Sequence, residues 1–263
     1  MKRKISDSLT SGDKIQLLTD VKKELSRNLS GESRRHFLKM SLTLGGVAIL
    51  TGCDVSNSNQ AEDILNHVSR FNDRVQSFLF SDNHLAPIYS ENQITRPFPF
   101  NAFYGKEDIP VIDNDNYRLE LAGRIQDKRP WTIGQLNNLQ QVSQITRHIC
   151  VEGWSAIGRW DGIPLVLFLK AVGADLNARY VSFKCADDYY TSIDMETALH
   201  PQTLMALGYD GKILPPEYGY PIKIRIPTKL GYKNPKHIRV IEVTDKFPGG
   251  YWEDQGYNWF GGS

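Results

Sequence analysis

Arg147-His148-Ile149-Cys150-Val151-Glu152-Gly153-Trp154-Ser155, followed shortly by Trp160-Asp161-Gly162-Ile163-Pro164-Leu165, is the densest run of unusual residues in the chain. Its single cysteine admits three readings. Cys150 suits a nucleophilic thiol, because His148 lies two positions away, on the same face of a strand, and Arg147 could lower the thiol pKa. A thiolate is also a soft metal ligand. The plain alternative is a buried, inert core cysteine. Spacing alone does not separate the three.

A second cluster lies further along, at Pro227-Thr228-Lys229-Leu230-Gly231-Tyr232-Lys233-Asn234-Pro235-Lys236. Its glycine and turn residues expose backbone N–H groups, and three lysines converge on a short loop, which suits a phosphate. A solvated basic turn is the bland reading of the same residues. Between and around these clusters the pattern predicts short elements. Ile64, Leu65, Val68, Phe71, Val75, Phe78 and Leu79 recur at helical spacing, and Leu165 to Val172, between Pro164 and Gly173, reads as a short buried helix. Tyr117, Leu119 and Leu121 alternate with charged residues and end at Gly123, so a strand is expected there. Ile222, Ile224 and Ile226 alternate with Lys223 and Arg225, and Ile238 to Val243 forms a further strand. Strands and helices do not alternate regularly, and no Gly-rich dinucleotide or Walker loop appears, so a mixed, β-rich α+β domain is expected over 61–263.

Composition narrows the function classes. With 31 basic and 30 acidic residues the formal charge is +1, and no basic run is interleaved with aromatics, so no nucleic acid is expected as a partner. The 40% apolar content can fill a core, while no apolar stretch reaches the roughly 20 residues of a spanning helix. The three cysteines, Cys53, Cys150 and Cys185, form no Cys-x-x-Cys pair.

The first sixty residues read as an address. Ser33-Arg34-Arg35-His36-Phe37-Leu38-Lys39, ahead of the apolar stretch Met40 to Leu50, resembles a twin-arginine export signal. Leu50-Thr51-Gly52-Cys53 resembles a lipobox, which would make Cys53 an acylated mature N-terminus and tether the protein to the periplasmic side of the inner membrane. Residues 1–53 are therefore expected to be signal, and 54–60 a tether. Met1 to Glu32 form a long leading region that this reading does not explain.

The order of motifs brings a family into view. The run from Arg147 to Leu165 resembles the metal-binding segment of bacterial sulfite oxidase-type molybdopterin oxidoreductases. So do Leu214-Pro215-Pro216-Glu217-Tyr218-Gly219-Tyr220-Pro221, Gly231-Tyr232-Lys233, Ile241-Glu242-Val243-Thr244-Asp245 and Gly250-Tyr251-Trp252-Glu253-Asp254-Gln255-Gly256-Tyr257. The resemblance implies that fold, a Mo-molybdopterin cofactor and Cys150 as the protein's metal ligand. Within the superfamily the closer likeness is to the catalytic subunits of protein-methionine-sulfoxide reductases. It nominates Asn101, Tyr104 and Gly105 as pterin contacts, and Asn234, Pro235 and Lys236 as a phosphate loop with Lys233 beside it. Cys185, Tyr218 and Lys223 fall where that subgroup has threonine, asparagine and arginine at the cofactor.

The resemblance implies oxygen-atom transfer to or from a small-molecule or protein-borne sulfur substrate. Cys-Val-Glu-Gly-Trp-Ser is close to the sulfoxide reductase version, which has alanine in place of Gly153. Asp188-Tyr189-Tyr190-Thr191-Ser192-Ile193 looks more like sulfite-oxidising relatives, so a periplasmic sulfite dehydrogenase is the alternative. Arg147 and Arg159 are candidate anion-binding groups, and Tyr189 or Tyr190, the latter preferred, is a candidate for bonding the transferring oxygen. No haem-attachment motif is present, so a separate haem-containing electron-transfer partner is expected. The sequence ends almost directly after the terminal Gly-Tyr of the resemblance, where sulfite-oxidising relatives often carry a dimerisation domain, so a monomeric catalytic unit is expected. Two readings of other classes are a non-catalytic lipid-anchored binding protein and a metal-free thiol hydrolase using Cys150 and His148.

Overall fold

A computed structural model describes Asp73 and residues 84–263. The export signal, the lipobox cysteine Cys53, the tether and the helix expected from Ile64 to Leu79 lie outside the described residues, Asp73 apart.

The described residues form two sheets. The first runs β1 (Glu120–Gly123), β9 (Ile238–Thr244), β4 (Tyr180–Cys185), β5 (Tyr190–Asp194), with β1 parallel to β9 and the other pairs antiparallel. The second runs β2 (Val142–Ile149), β3 (Ser155–Pro164), β6 (Leu204–Tyr209), β7 (Lys212–Ile213), with β8 (Lys223–Arg225) also paired to β6. Three short helices accompany them: α1 (Ile133–Asn137), α2 (Leu165–Ala171) and α3 (Met195–Leu199). This is the expected mixed, β-rich α+β architecture.

Local chemistry sets the element ends. The Thr132 hydroxyl accepts from the Gln135 N–H and the Gln135 side chain answers the Thr132 N–H, closing a capping box on α1. The Asp194 carboxylate accepts from the Thr197 N–H at 2.6 Å and starts α3 where β5 stops. Pro164 opens α2, and Gly173, with φ +65°, closes it, as the sequence predicts.

Strand β6 is buried at all six positions because it serves two cores. Met205 and Leu207 join the main cluster with Ile163, Phe168, Val181, Phe183, Ile224 and Ile241, while Leu204 and Ala206 join a second with Phe98, Trp160 and Tyr209. The β3–β6 register shifts between Asp161 and Gly162, where the backbones come close: a Cβ on Gly162 would sit 2.0 Å from the Met205 carbonyl oxygen. Strand β8 departs from what alternation usually means. Its apolar Ile224 faces the core, yet Lys223 and Arg225 are buried as well, at 6% and 0% exposure.

Gly162→Ala should therefore force β3 and β6 apart and destabilise the fold by roughly 2–4 kcal/mol. Chemical denaturation of the two proteins measures this, and an unchanged midpoint would contradict the close approach.

Candidate functional site

The β2–β3 hairpin carries Cys150 at its tip. The Cys150 N–H donates to the Trp154 carbonyl at 2.9 Å and the Gly153 N–H donates to the Cys150 carbonyl at 3.1 Å, so Val151-Glu152-Gly153 form a tight turn. Gly153 has φ +91°, which suits glycine. Alternation along β2 turns His148 inward and Arg147 outward. Cys150 is 5% exposed, and its Sγ accepts from Asn101 Nδ2 at 3.3 Å and lies 3.6 Å from Glu152 Oε2, which also accepts from the Trp154 indole N–H at 2.8 Å. Burial pushes the Cys150 thiol up, with the Glu152 carboxylate adding to it and the Asn101 amide opposing.

Cys150 opens into a cavity with about 790 Å³ of empty space, counted out to the solvent at its mouth. One part of the lining is polar: Asn101, His148, Cys150, Glu152, Asp187, Lys223, Asn234 and Lys236. Another is aromatic: Phe103, Tyr189, Tyr232, Trp252 and Tyr257. Gly231 lets the basic loop approach β2 closely, since a Cβ there would lie 2.9 Å from His148 Nε2 and 3.2 Å from Asn101 Nδ2.

The cations at this cavity lack ion pairs, although the Asp187 carboxylate in the same wall partly offsets Lys236. Lys223, Arg225 and Lys236 are all buried, and among the described residues none makes a salt bridge. Arg225 is held instead by neutral oxygens. It donates to Asn234 Oδ1 at 2.9 Å, Thr146 Oγ1 at 3.3 Å and the Arg147 carbonyl at 2.5 Å. Lys236 donates to the Glu217 carbonyl at 3.3 Å. Burial drives the Lys223 ammonium far below its usual range, with Lys236 and Arg225 adding repulsion, and pushes Lys236 down to about 8. His148 is likewise lowered by burial and by the Arg225, Lys223 and Lys236 charges, and its Nδ1 is buried without a hydrogen-bond partner. An anion is what such a set lacks, and a phosphate between Lys223 and Lys236 would relieve the repulsion. The residues present therefore fit a phosphate-bearing cofactor, whose metal end the Cys150 thiol could hold.

Eight of the residues nominated from sequence line this cavity: Asn101, His148, Cys150, Tyr189, Lys223, Asn234, Pro235 and Lys236. The others lie elsewhere. Arg147 is exposed and its guanidinium stacks 5.2 Å from the Tyr89 ring. Arg159 pairs with Glu91 and Asp161. Tyr190 faces outward and donates to Asp254, whereas its neighbour Tyr189 lines the cavity. Tyr104 donates to Asp187 Oδ2 at 2.8 Å, bracing a wall residue from behind, and Gly105 caps the 3-10 turn at Lys106–Asp108. Tyr218 donates to the Phe98 carbonyl at 2.9 Å within the second core. Cys185 is a core thiol of β4, raised well above its usual range by burial. The Lys233 ammonium is engaged by the buried Glu253 carboxylate, which removes it from the phosphate set. Sequence reasoning passed over Phe103, Asp187, Tyr232, Trp252 and Tyr257 as wall residues. Three of them, Tyr232, Trp252 and Tyr257, sat inside motifs quoted for other reasons, and nothing in the sequence fixed their direction.

Lys236 offers a check on the anion. Its depressed pKa means that the cofactor-free folded protein holds fewer protons than the unfolded chain between about pH 8 and the ordinary lysine value. Its contribution to stability thus rises with pH across that window and is lost as pH falls through 8. Lys236→Met should raise the melting temperature of cofactor-free protein at pH 7 by several degrees, abolish that part of the alkaline gain, and weaken cofactor retention. Thermal unfolding from pH 6.5 to 10 decides it, and a variant no more stable than wild type at pH 7 would contradict the unpaired charge.

Comparison with known proteins agrees with this chemistry. Residues 106–252, more than half of the chain, match the family described as "Oxidoreductase molybdopterin binding domain". A putative protein-methionine-sulfoxide reductase subunit YedZ1 of Azospira oryzae is 57% identical over 97% of this chain and 97% of its own length. A protein-methionine-sulfoxide reductase catalytic subunit MsrP of Burkholderia mallei is 30% identical over 55% of this chain, and one of Xanthomonas campestris is 34% identical over 45%. The chain spans about half the length of these last two, 49% and 42% respectively. Among solved structures, the sulfane dehydrogenase SoxCD of Paracoccus pantotrophus matches at 19% identity with a TM-score of 0.49, over 52% of this chain and 40% of its own. With its central region matched and a near full-length relative at 57% identity, the chain belongs to the oxidoreductases of the molybdopterin-binding domain family.

Proposed function

We propose that this enzyme reduces sulfoxides, with the Cys150 thiolate bound to molybdenum and Lys223 and Lys236 holding the phosphate of the molybdopterin. The observation that carries the reading is the cavity itself, where the buried thiol of Cys150, two buried lysines that make no salt bridge among the described residues and an aromatic wall meet. The names of the relatives, protein-methionine-sulfoxide reductase subunits, point the same way. When bound, the cofactor would supply a two-electron centre for the overall change in which one sulfoxide, two electrons and two protons give one thioether and one water. The protein's part is binding and orientation. Asn101 Nδ2 donates to Cys150 Sγ and would stabilise its thiolate. Phe103, Tyr189, Tyr232, Trp252 and Tyr257 offer a wall for the alkyl groups of a neutral sulfoxide and keep water away.

Sulfite oxidation, the alternative, calls for fixed cations beyond those taken by the phosphate. Arg147 and Arg159, the arginines available for it, lie against Tyr89 and against Glu91 and Asp161. This favours the neutral substrate. The export route, the lipid at Cys53 and a separate haem-containing electron donor complete the proposal, carried by the Ser33–Lys39 and Leu50–Cys53 motifs and by relatives named as subunits.

Protein made in a host able to synthesise molybdopterin should carry near-stoichiometric molybdenum by elemental mass spectrometry, and Cys150→Ser should lose the Mo–thiolate absorption. Reduced viologen should be oxidised on adding a sulfoxide, with sulfite-dependent ferricyanide reduction at least tenfold slower. Folded protein without molybdenum, or the reverse substrate preference, would overturn the proposal. Metabolic labelling with palmitate should mark the wild type and leave Cys53→Ala unlabelled, and equal labelling of the two would dismiss the anchor.

A further inference from the structure

After β9 the chain forms a strap, from Gly249 onward, across β5 and the turn at Leu230–Lys233. The Tyr251 N–H donates to the Tyr190 carbonyl at 2.9 Å, and the Ser192 hydroxyl donates to the Gly249 carbonyl at 2.6 Å. The Tyr232 hydroxyl donates to the Asn258 carbonyl at 2.6 Å, and the Leu230 N–H to the Gly261 carbonyl at 2.8 Å. At the centre lies an ion pair between Lys233 and Glu253, whose side chains are 1% and 4% exposed. Glu253 Oε1 also accepts from the Thr191 hydroxyl at 2.9 Å, while Glu253 Oε2 is buried without a hydrogen-bond partner. The carboxylate packs on its own backbone, for a Cβ on Gly250 would lie 2.1 Å from Oε2.

The pair sits at the join of two wall segments. Lys233 is flanked by Tyr232 and Asn234, and Glu253 follows Trp252; all three neighbours line the cavity, as does Tyr257. Removing one partner would strand the other as a buried charge, which costs far more than a surface ion pair contributes. We infer that Lys233 and Glu253 are a positioning pair that fixes Trp252 and Tyr257 as the entrance wall, so that the strap sets how substrate is gripped. The gripping role rests on the sulfoxide-reducing reading of the cavity; the fixing of the strap does not.

The test compares cofactor-loaded wild type with Glu253→Gln, Lys233→Met and the double variant. Hydrogen–deuterium exchange and steady-state kinetics are measured on each, the latter with a short peptide carrying methionine sulfoxide and reduced viologen. Each single variant should speed exchange of the 251–257 amides by about tenfold or more with β6 unchanged, and raise KM about tenfold with kcat within twofold. The double variant, which strands no charge, should lose less than either single. Unchanged exchange in the strap, equal acceleration in β6, or a fall in kcat at constant KM would overturn the inference. If wild type turns over no sulfoxide, the functional reading fails, and the exchange measurements alone decide whether the pair fixes the strap.

Discussion

Positive charge buried without a carboxylate is the constraint around which this structure is arranged. Lys223, Arg225 and Lys236 come from one strand and the loop after it, and each is nearly inaccessible. Holding a charge there costs several kcal/mol per ion unless it is answered. Arg225 is answered by oxygens of Asn234, Thr146 and Arg147, and these bonds tie β8 and the basic loop to β2. Because Cys150 directly follows the last residue of β2, the same bonds set the distance from the loop to the thiol. Lys223 and Lys236 make no salt bridge among the described residues, and both line the cavity. Affinity for an anion and stability of the empty fold are therefore opposed in these two residues.

The order of motifs made much of this visible in advance. Cys150, Asn101 and the loop from Asn234 to Lys236 are nominated by their places in the sequence, and they meet in one cavity. Alternation at Ile222 to Ile226 announces a strand and identifies two faces. It does not say that both faces are covered, so the burial of Lys223 and Arg225 becomes apparent only in three dimensions.

The misplaced residues share a physical cause, direction. A strand turns successive side chains to opposite sides, so Arg147 and Tyr190 are one position away from the cavity-lining His148 and Tyr189. The lysine cluster fails differently. Three lysines in a short loop look equivalent on paper, yet the 3-10 turn at Gly231–Lys233 sends Lys233 to Glu253 and leaves Lys236 at the cavity. A partner twenty positions away cannot be read from the composition of the loop.

The cavity is assembled from Asn101–Phe103, the turn at Cys150, the β4–β5 turn, β8 with its loop, and the strap at Trp252 and Tyr257, pieces that span most of the described chain. Its wall is complete only once residues 252 and 257 have been made, since Trp252 and Tyr257 both line it. Cofactor capture by the full enclosure is thus a check that synthesis has passed that point. A chain broken off before residue 252 retains Cys150 and the lysines but lacks part of their enclosure, so the same geometry that shapes the cavity marks truncated products as incomplete.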